Sequence, residues 1–337
     1  MTKDVSGKAH VTPSPLYPFS FKPVYKDYMW GGDKILRLYH RAEKPGIYAE
    51  SWEVSDRTDG MSVVTDGPMA GRTLHELVQG LGAELLGSRV RGLVFPLLIK
   101  LIDSRDRLSV QVHPDDDTAR RFGGEAKTEM WYVLDAEPGA GVFAGLKPGV
   151  GEKQVQDALR TKRFKDILTF VPVEKGDAIF VPGGRVHAID AGCLLLEVQQ
   201  NSNTTYRIYD WDRVGPDGRP RPLHLKEAMR VIRWDDTAHA KVAPRRLAAE
   251  DWGECWEILR SAYFLMERIL LSEPASLRAD GRSFQVFFVA SGGIVLQWGG
   301  GASEFAAGTT CLVPAALGEF TVEPSQASAE VLRITVP

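Results

Sequence analysis

The amino-acid sequence predicts a mainly β protein with a few packing helices, and three features carry that expectation. Beyond residue 16, most of the chain is short runs of β-branched and aromatic residues punctuated by Gly, Pro and Asp. Only three stretches have the spacing of an amphipathic helix. From Ser261 the chain returns to strand-like runs with glycine turns: Ser283–Trp298 (SFQVFFVASGGIVLQW), then GTTCLVP, then AEVLRITV. That last block of about 75 residues is long enough for a small β-barrel or sandwich.

Taken in order, residues 1–16 are polar and proline-rich and read as a flexible arm. Thr73 to Leu86 places Leu74, Leu77, Val78, Leu81 and Leu85 on one helical stripe, and Thr73 with Glu76 has capping-box spacing. Glu152 to Phe170 carries Val155, Leu159, Ile167 and Leu168 among charges, and His224 to Ile232 is the third helix. The charged, Trp-rich stretch 235–260 reads as a connector. The expected organisation is therefore an arm over 1–16, a first domain over 17–234, a connector over 235–260 and a second domain over 261–337. At roughly 150 residues per domain, 337 residues also suggest about two.

Composition narrows the function. Hydrophobic residues make up 44% and charged residues 25%, which excludes a disordered or fibrous chain. Lys+Arg 41 against Asp+Glu 44 gives a net charge of −3, so no basic field covers the chain and nucleic acid is not an expected partner. Cys193, Cys255 and Cys311 form no C-x-x-C pair, which argues against a disulfide framework or a thiolate zinc site. The first residues contain no apolar signal core, and Leu93 to Ile102 is interrupted by Pro96 and Lys100. The expected location is cytoplasmic, with no membrane partner. No glycine-rich phosphate loop or dinucleotide fingerprint is evident, so no nucleotide cofactor is expected.

Three segments bear the polar chemistry. In Leu108-Ser-Val-Gln-Val-His113, alternation puts Leu108, Val110 and Val112 on one strand face and Ser109, Gln111 and His113 on the other. In Lys127-Thr-Glu-Met-Trp-Tyr132, Lys127, Glu129 and Trp131 share a face. Taken alone, each polar face reads as solvated. In Gly176 to His187, a turn glycine leads into the apolar strand Ala178–Val181, Pro182 ends it, and a Gly-Gly turn brings back His187. This order resembles the second motif of the cupin superfamily, which implies an inward-facing His187. Two imidazoles, one carboxylate and one amide oxygen suit a borderline divalent metal such as zinc, and a single carboxylate leaves a net charge near +1 there.

The motifs Ser109-Val-Gln-Val-His-Pro-Asp-Asp116, Lys127–Tyr132, Val181–Ala188 and Leu196–Arg213, in that order, are similar to those of the type I mannose-6-phosphate isomerases in their short bacterial form. Trp30-Gly-Gly32 and Glu50-Ser-Trp-Glu53 fit the same pattern. The resemblance, from about Tyr17 to Trp234, implies a tandem cupin fold of two double-stranded β-helix barrels. It also implies the interconversion of mannose 6-phosphate and fructose 6-phosphate with one zinc ion per chain. Carried over, Gln111, His113, Glu129 and His187 are the metal ligands. Arg207 is the catalytic arginine, and Glu197 and Lys127 are further catalytic positions. Lys100 and Ser109 belong to the phosphate end, and Trp30 and Glu50 to the cavity wall.

Aldose–ketose isomerisation moves a proton between C1 and C2 through an enediolate, and needs a base, a stabilised oxyanion and a phosphate clamp. A metal and Arg207 suit the oxyanion, and Lys100 and Ser109 suit the phosphate. Glu197, Lys127 and a metal-bound water stay open as the base. Bland roles compete: Arg207 as a partner of Asp210 or Asp212, Lys100 snorkelling from a core strand. A non-catalytic sugar-phosphate-binding cupin is the alternative function, and a redox cupin with iron or manganese a third. Two departures stand out. Gly308–Pro314 repeats the Gly176–Pro182 spacing, but Glu319 stands where His187 would recur, so the second cupin is expected to hold no metal. Ile189 stands where some relatives carry an aromatic residue. The expected partner is a phosphorylated hexose, and the chain a monomer or small homo-oligomer.

Overall fold

The computed structural model describes residues 16–41, 46–215 and 218–337; of the predicted arm, only Leu16 falls within them. Four sheets dominate. A six-stranded sheet runs Ala178–Val181, Glu129–Ala136, Cys193–Gln200, Leu97–Ser104, Glu50–Val54 and Val24–Lys26 in spatial order. A five-stranded sheet faces it, in the order Tyr206–Tyr209, Val110–Val112, His187–Ile189, Gly141–Leu146 and Leu168–Pro172. The C-terminal residues contribute most of an eight-stranded sheet and all of a four-stranded one.

Alternation along the strands stacks these sheets into layers. Cys193–Gln200 sends Leu194, Leu196 and Val198 to one core, and Cys193 and Leu195 to another. Its neighbours do the same: Met130 and Tyr132 go one way, Trp131 and Val133 the other. The first core includes Met266, Val286, Phe288, Leu332 and Ile334 of the eight-stranded sheet, with Phe264 and Phe284 just before two of its strands. Outside the five-stranded sheet, Val155, Ala158, Ala228 and Val231 of the helices Glu152–Thr161 and Leu225–Val231 cover Val110, Val112, Phe143 and Ala188. A strand buried on both faces reads as a continuous apolar run, as in CLLLEVQQ.

The helices differ from expectation in extent. Thr73 does form a capping box with Glu76, but the helix Leu74–Leu81 stops at Gly82, whose φ of +50° breaks it from the short turn Ala83–Leu86. The stripe expected to reach Phe170 ends at Thr161, capped by left-handed Lys162; a 3₁₀ turn follows over Phe164–Ile167, and Leu168–Pro172 is a strand. Leu168 and Phe170 lie two residues apart, a period that a strand satisfies. The expected connector contains two strands, Arg245–Glu250 and Gly253–Arg260, paired at the end of the eight-stranded sheet. No helix among the described residues is long and apolar enough to cross a membrane.

A buried ion pair ties the two halves. Arg41 Nη1 meets Glu53 Oε1 at 2.9 Å and Ser51 Oγ at 2.8 Å, while Nη2 donates to the carbonyl of Gly308 at 2.6 Å. Thr310 Oγ1 donates to Glu53 Oε2 at 3.2 Å. Truncating one partner strands the other charge in the interior. Glu53→Ala is expected to cost roughly 3–5 kcal/mol, measured by urea unfolding; a loss near zero would mean water reaches Arg41.

Candidate active site

Two facing cross-strand rows build the site. In the six-stranded sheet, Trp52, Lys100, Glu197 and Trp131 stand side by side on adjacent strands. In the five-stranded sheet, Arg207, Gln111, His187 and Ala144 do the same. Between the rows opens a cavity of about 240 Å³. Trp30, Glu50, Lys100, Ser109, Gln111, Lys127, Glu197 and Arg207 all line it, so the expected site residues converge there or directly behind.

Behind Gln111, the ligand atoms of His113, Glu129 and His187 lie within 4.8 Å of one another, and all three side chains are buried. Glu129 Oε1 is 3.3 Å from His187 Nε2, and Oε2 is 3.5 Å from His113 Nε2. His187 Nδ1–H donates to the Arg185 carbonyl at 2.9 Å, which fixes the tautomer and leaves Nε2 with its lone pair. The Gln111 amide meets that Nε2 at 3.2 Å, and a half-turn of the amide presents its oxygen at the same place.

The electrostatics fit a cation among these atoms. Both oxygens of Glu129 are buried, and Oε1 has no hydrogen-bond partner among the described residues. The Lys127 ammonium sits 2.6 Å from Glu129 Oε2 and 3.1 Å from His113 Nε2, a positive charge at the donor set. Burial pulls His113 well below the usual histidine range, helped by Lys127, and takes His187 down to about 3. Both imidazoles are therefore neutral, the form that ligates a metal. Burial also raises Glu129 to about 7, with the nearby Glu197 charge adding to the effect. A bound divalent cation reverses that cost.

Glu197 is held in the opposite way. Burial alone would raise its pKa, but Lys100 and Lys127 outweigh that and bring it below the ordinary carboxylate value. Lys100 Nζ is 3.0 Å from Glu197 Oε1 and 3.4 Å from Glu50 Oε2. Indole N–H groups fix the carboxylates: Trp131 Nε1 donates to Glu197 Oε2 at 2.8 Å and Trp52 Nε1 to Glu50 Oε2 at 2.7 Å. Lys100 thus points inward between two carboxylates and does not snorkel.

Arg207 does not pair with Asp210 or Asp212. Its Nε donates to Ser109 Oγ at 3.3 Å and its Nη1 to the Pro222 carbonyl at 2.9 Å, and among the described residues it has no carboxylate partner. The half-buried His224 holds its backbone, accepting from Arg207 N–H at 3.1 Å. Leu108 leaves the face shared by Val110 and Val112, because the strand begins only at Val110. Leu108 joins Trp30, Ile102 and Ile189 on the apolar wall of the cavity. Sequence reasoning missed Tyr28, Asn203, Thr205 and Arg221 on the wall. Asn203 and Thr205 lie inside a motif already recognised; Arg221 lies in a loop with no periodicity to place it.

The C-terminal counterpart differs. Glu319 is exposed on Gly318–Pro324 and stands opposite Arg278 of the neighbouring strand.

Comparison with known proteins gives two matching family models: phosphomannose isomerase type I, catalytic domain, over residues 19–144, and mannose-6-phosphate isomerase, cupin domain, over residues 257–333. The chain is 36% identical to the probable mannose-6-phosphate isomerase GmuF of Bacillus subtilis strain 168, covering 91% of this chain and 96% of that protein. It is 38% identical to the mannose-6-phosphate isomerase of Streptococcus mutans over 64% of this chain and 67% of that one. The crystal structure of a Bacillus subtilis mannose 6-phosphate isomerase superposes with a TM-score of 0.86 at 28% identity, covering 94% of this chain and 99% of that one.

The donor set generates a binding prediction. One equivalent of divalent metal should bind per chain, read by elemental analysis after dialysis. Glu129→Ala or His113→Ala should remove it, and Gln111→Ala should weaken it while sparing the two imidazoles and the carboxylate. Full metal retention in Glu129→Ala would place the ion elsewhere.

Proposed function

Because the chain belongs to the type I phosphomannose isomerase family, we propose that it interconverts mannose 6-phosphate and fructose 6-phosphate through an enediolate, with one zinc ion per chain. The observation that carries this reading is the pair of facing rows. A buried His–Glu–His group opens through Gln111 onto a cavity whose walls bear Lys100, Lys127, Glu197 and Arg207. A binding module needs the cavity; it does not need a carboxylate held ionised beside the metal ligands.

Gln111, His113, Glu129 and His187 would hold the ion, which supplies positive charge for an oxygen that becomes negative during the reaction. The remaining work falls to the chain. Glu197 lines the cavity as an ionised carboxylate, which makes it the best placed acceptor for the proton that moves between C1 and C2. Lys127 is engaged with Glu129 and His113 and acts as a fixed positive charge behind the reacting carbons. Arg207, in register with Gln111 and without a carboxylate partner among the described residues, is a second fixed charge for the enediolate oxygens. Lys100 helps keep Glu197 ionised and can donate to a sugar hydroxyl. Trp30, Leu108 and Ile189 narrow the cavity and exclude water from the intermediate.

A coupled assay on mannose 6-phosphate should show turnover in the purified protein, loss after chelation and return with added zinc. A folded, zinc-loaded chain that does not turn over mannose 6-phosphate would sink the assignment. Glu197→Gln should lower kcat by about 10²–10⁴-fold with metal content unchanged. Lowered metal content instead would make Glu197 a support of the ligands. Arg207→Ala should likewise reduce turnover by orders of magnitude and keep the metal, whereas an unchanged rate would remove it from the reaction.

A further inference from the structure

The cavity wall near Arg207 carries a second guanidinium to which the chemistry above gives no task. Arg221 lines the cavity and grips the buried Asp210 through two bonds, Nε to Oδ2 at 2.8 Å and Nη2 to Oδ1 at 2.6 Å. Arg213 binds the same carboxylate from elsewhere, Nη2 to Oδ1 at 2.7 Å. One carboxylate thus answers two guanidiniums, while Arg207 close by has none among the described residues. The crowding registers on Arg207, which burial and then Arg221 hold below the ordinary arginine value.

Asp210 sets the orientation of Arg221. The Nε–Nη2 edge is occupied, so Nη1 is left without a partner among the described residues. Ser109 Oγ accepts from Arg207, which leaves its own O–H proton free to donate. Arg207, Arg213 and Arg221 face the carboxylates of Asp210 and, through Arg213, Asp106, which leaves one guanidinium in excess; with the Ser109 hydroxyl bonded to Arg207, these groups can receive an anion with several acceptor oxygens. Lys100 offers no such place: a dianion beside it would meet Glu197 and Glu50.

We propose that Arg221 is a specificity-determining residue that, with Ser109 and beside Arg207, receives the phosphate group of the hexose substrate. The proposal rests on the sugar-phosphate reading above and moves the phosphate away from Lys100, which then serves the sugar end. Arg221 acts on binding, so its removal should separate KM from kcat.

The test uses the metal-loaded full chain, Arg221→Ala and Arg221→Gln, the second keeping a hydrogen-bonding group for Asp210. Kinetics on mannose 6-phosphate are set beside calorimetric titration with inorganic phosphate. Both variants should raise KM about 10- to 100-fold, keep kcat within a few-fold, and weaken phosphate binding by a similar factor. Unchanged KM and phosphate affinity in either folded variant would overturn the proposal, as would a fall in kcat alone. If the wild-type chain bound phosphate through Arg221 yet turned over no mannose 6-phosphate, the anion site would stand and the assigned reaction would fall.

Discussion

A charge on a sheet that is covered on both faces has no water to turn to, and the whole site follows from that constraint. The six-stranded sheet has one apolar core beneath it and another above. Lys100 and Glu197 nevertheless sit in its centre at 5% and 2% exposure. They persist because they lie side by side in register, each a hydrogen-bonding partner of the other's charge, with Trp131 and Glu50 completing the shell. Desolvation makes each group costly alone and strongly coupled together. The same low dielectric that imposes this cost strengthens every interaction with a substrate entering the cavity.

The constraint also separates the two carboxylates chemically. Glu129 and Glu197 are both fully enclosed and close enough to repel. Lys100 and Lys127 together hold Glu197 ionised, while burial and the Glu197 charge raise Glu129 to about 7 in spite of Lys127. On the proposed reading, Glu197 is the proton acceptor and Glu129 a metal ligand. Environments that push like groups apart are how one cavity supplies two roles.

Alternation within a strand made the essential contacts readable in advance. Lys127, Glu129 and Trp131 do share a face, and Gly176 to His187 does run turn, strand, Pro stop and return. What alternation does not contain is pairing between strands. Lys100 breaking an apolar run looks the same whether it reaches out to water or in to Glu197, because its partner lies 97 residues away. Arg207 beside Asp210 in sequence suggested a local pair, yet the carboxylate is taken by Arg221 and Arg213. The helix ends failed for a different reason: Gly82 and Lys162 stop helices by left-handed backbone, while the apolar spacing continues past them.

The C-terminal sheet pair then has a physical role in the neighbouring candidate site. Its eight-stranded sheet presents Met266, Val286, Phe288 and Leu332 to the outer face of the six-stranded sheet. Were that face in water, the alternate residues Ile99, Leu101, Leu194 and Leu196 would have to be polar, and water would reach the backbone carrying Lys100 and Glu197. Covering it turns the six-stranded sheet into an interior layer, which fixes the row of charges from behind and keeps the dielectric low. The Arg41–Glu53 pair, reaching Gly308 and Thr310, locks this covering layer in place. The C-terminal sheets thus contribute to the neighbouring site by removing solvent from the far side of its wall.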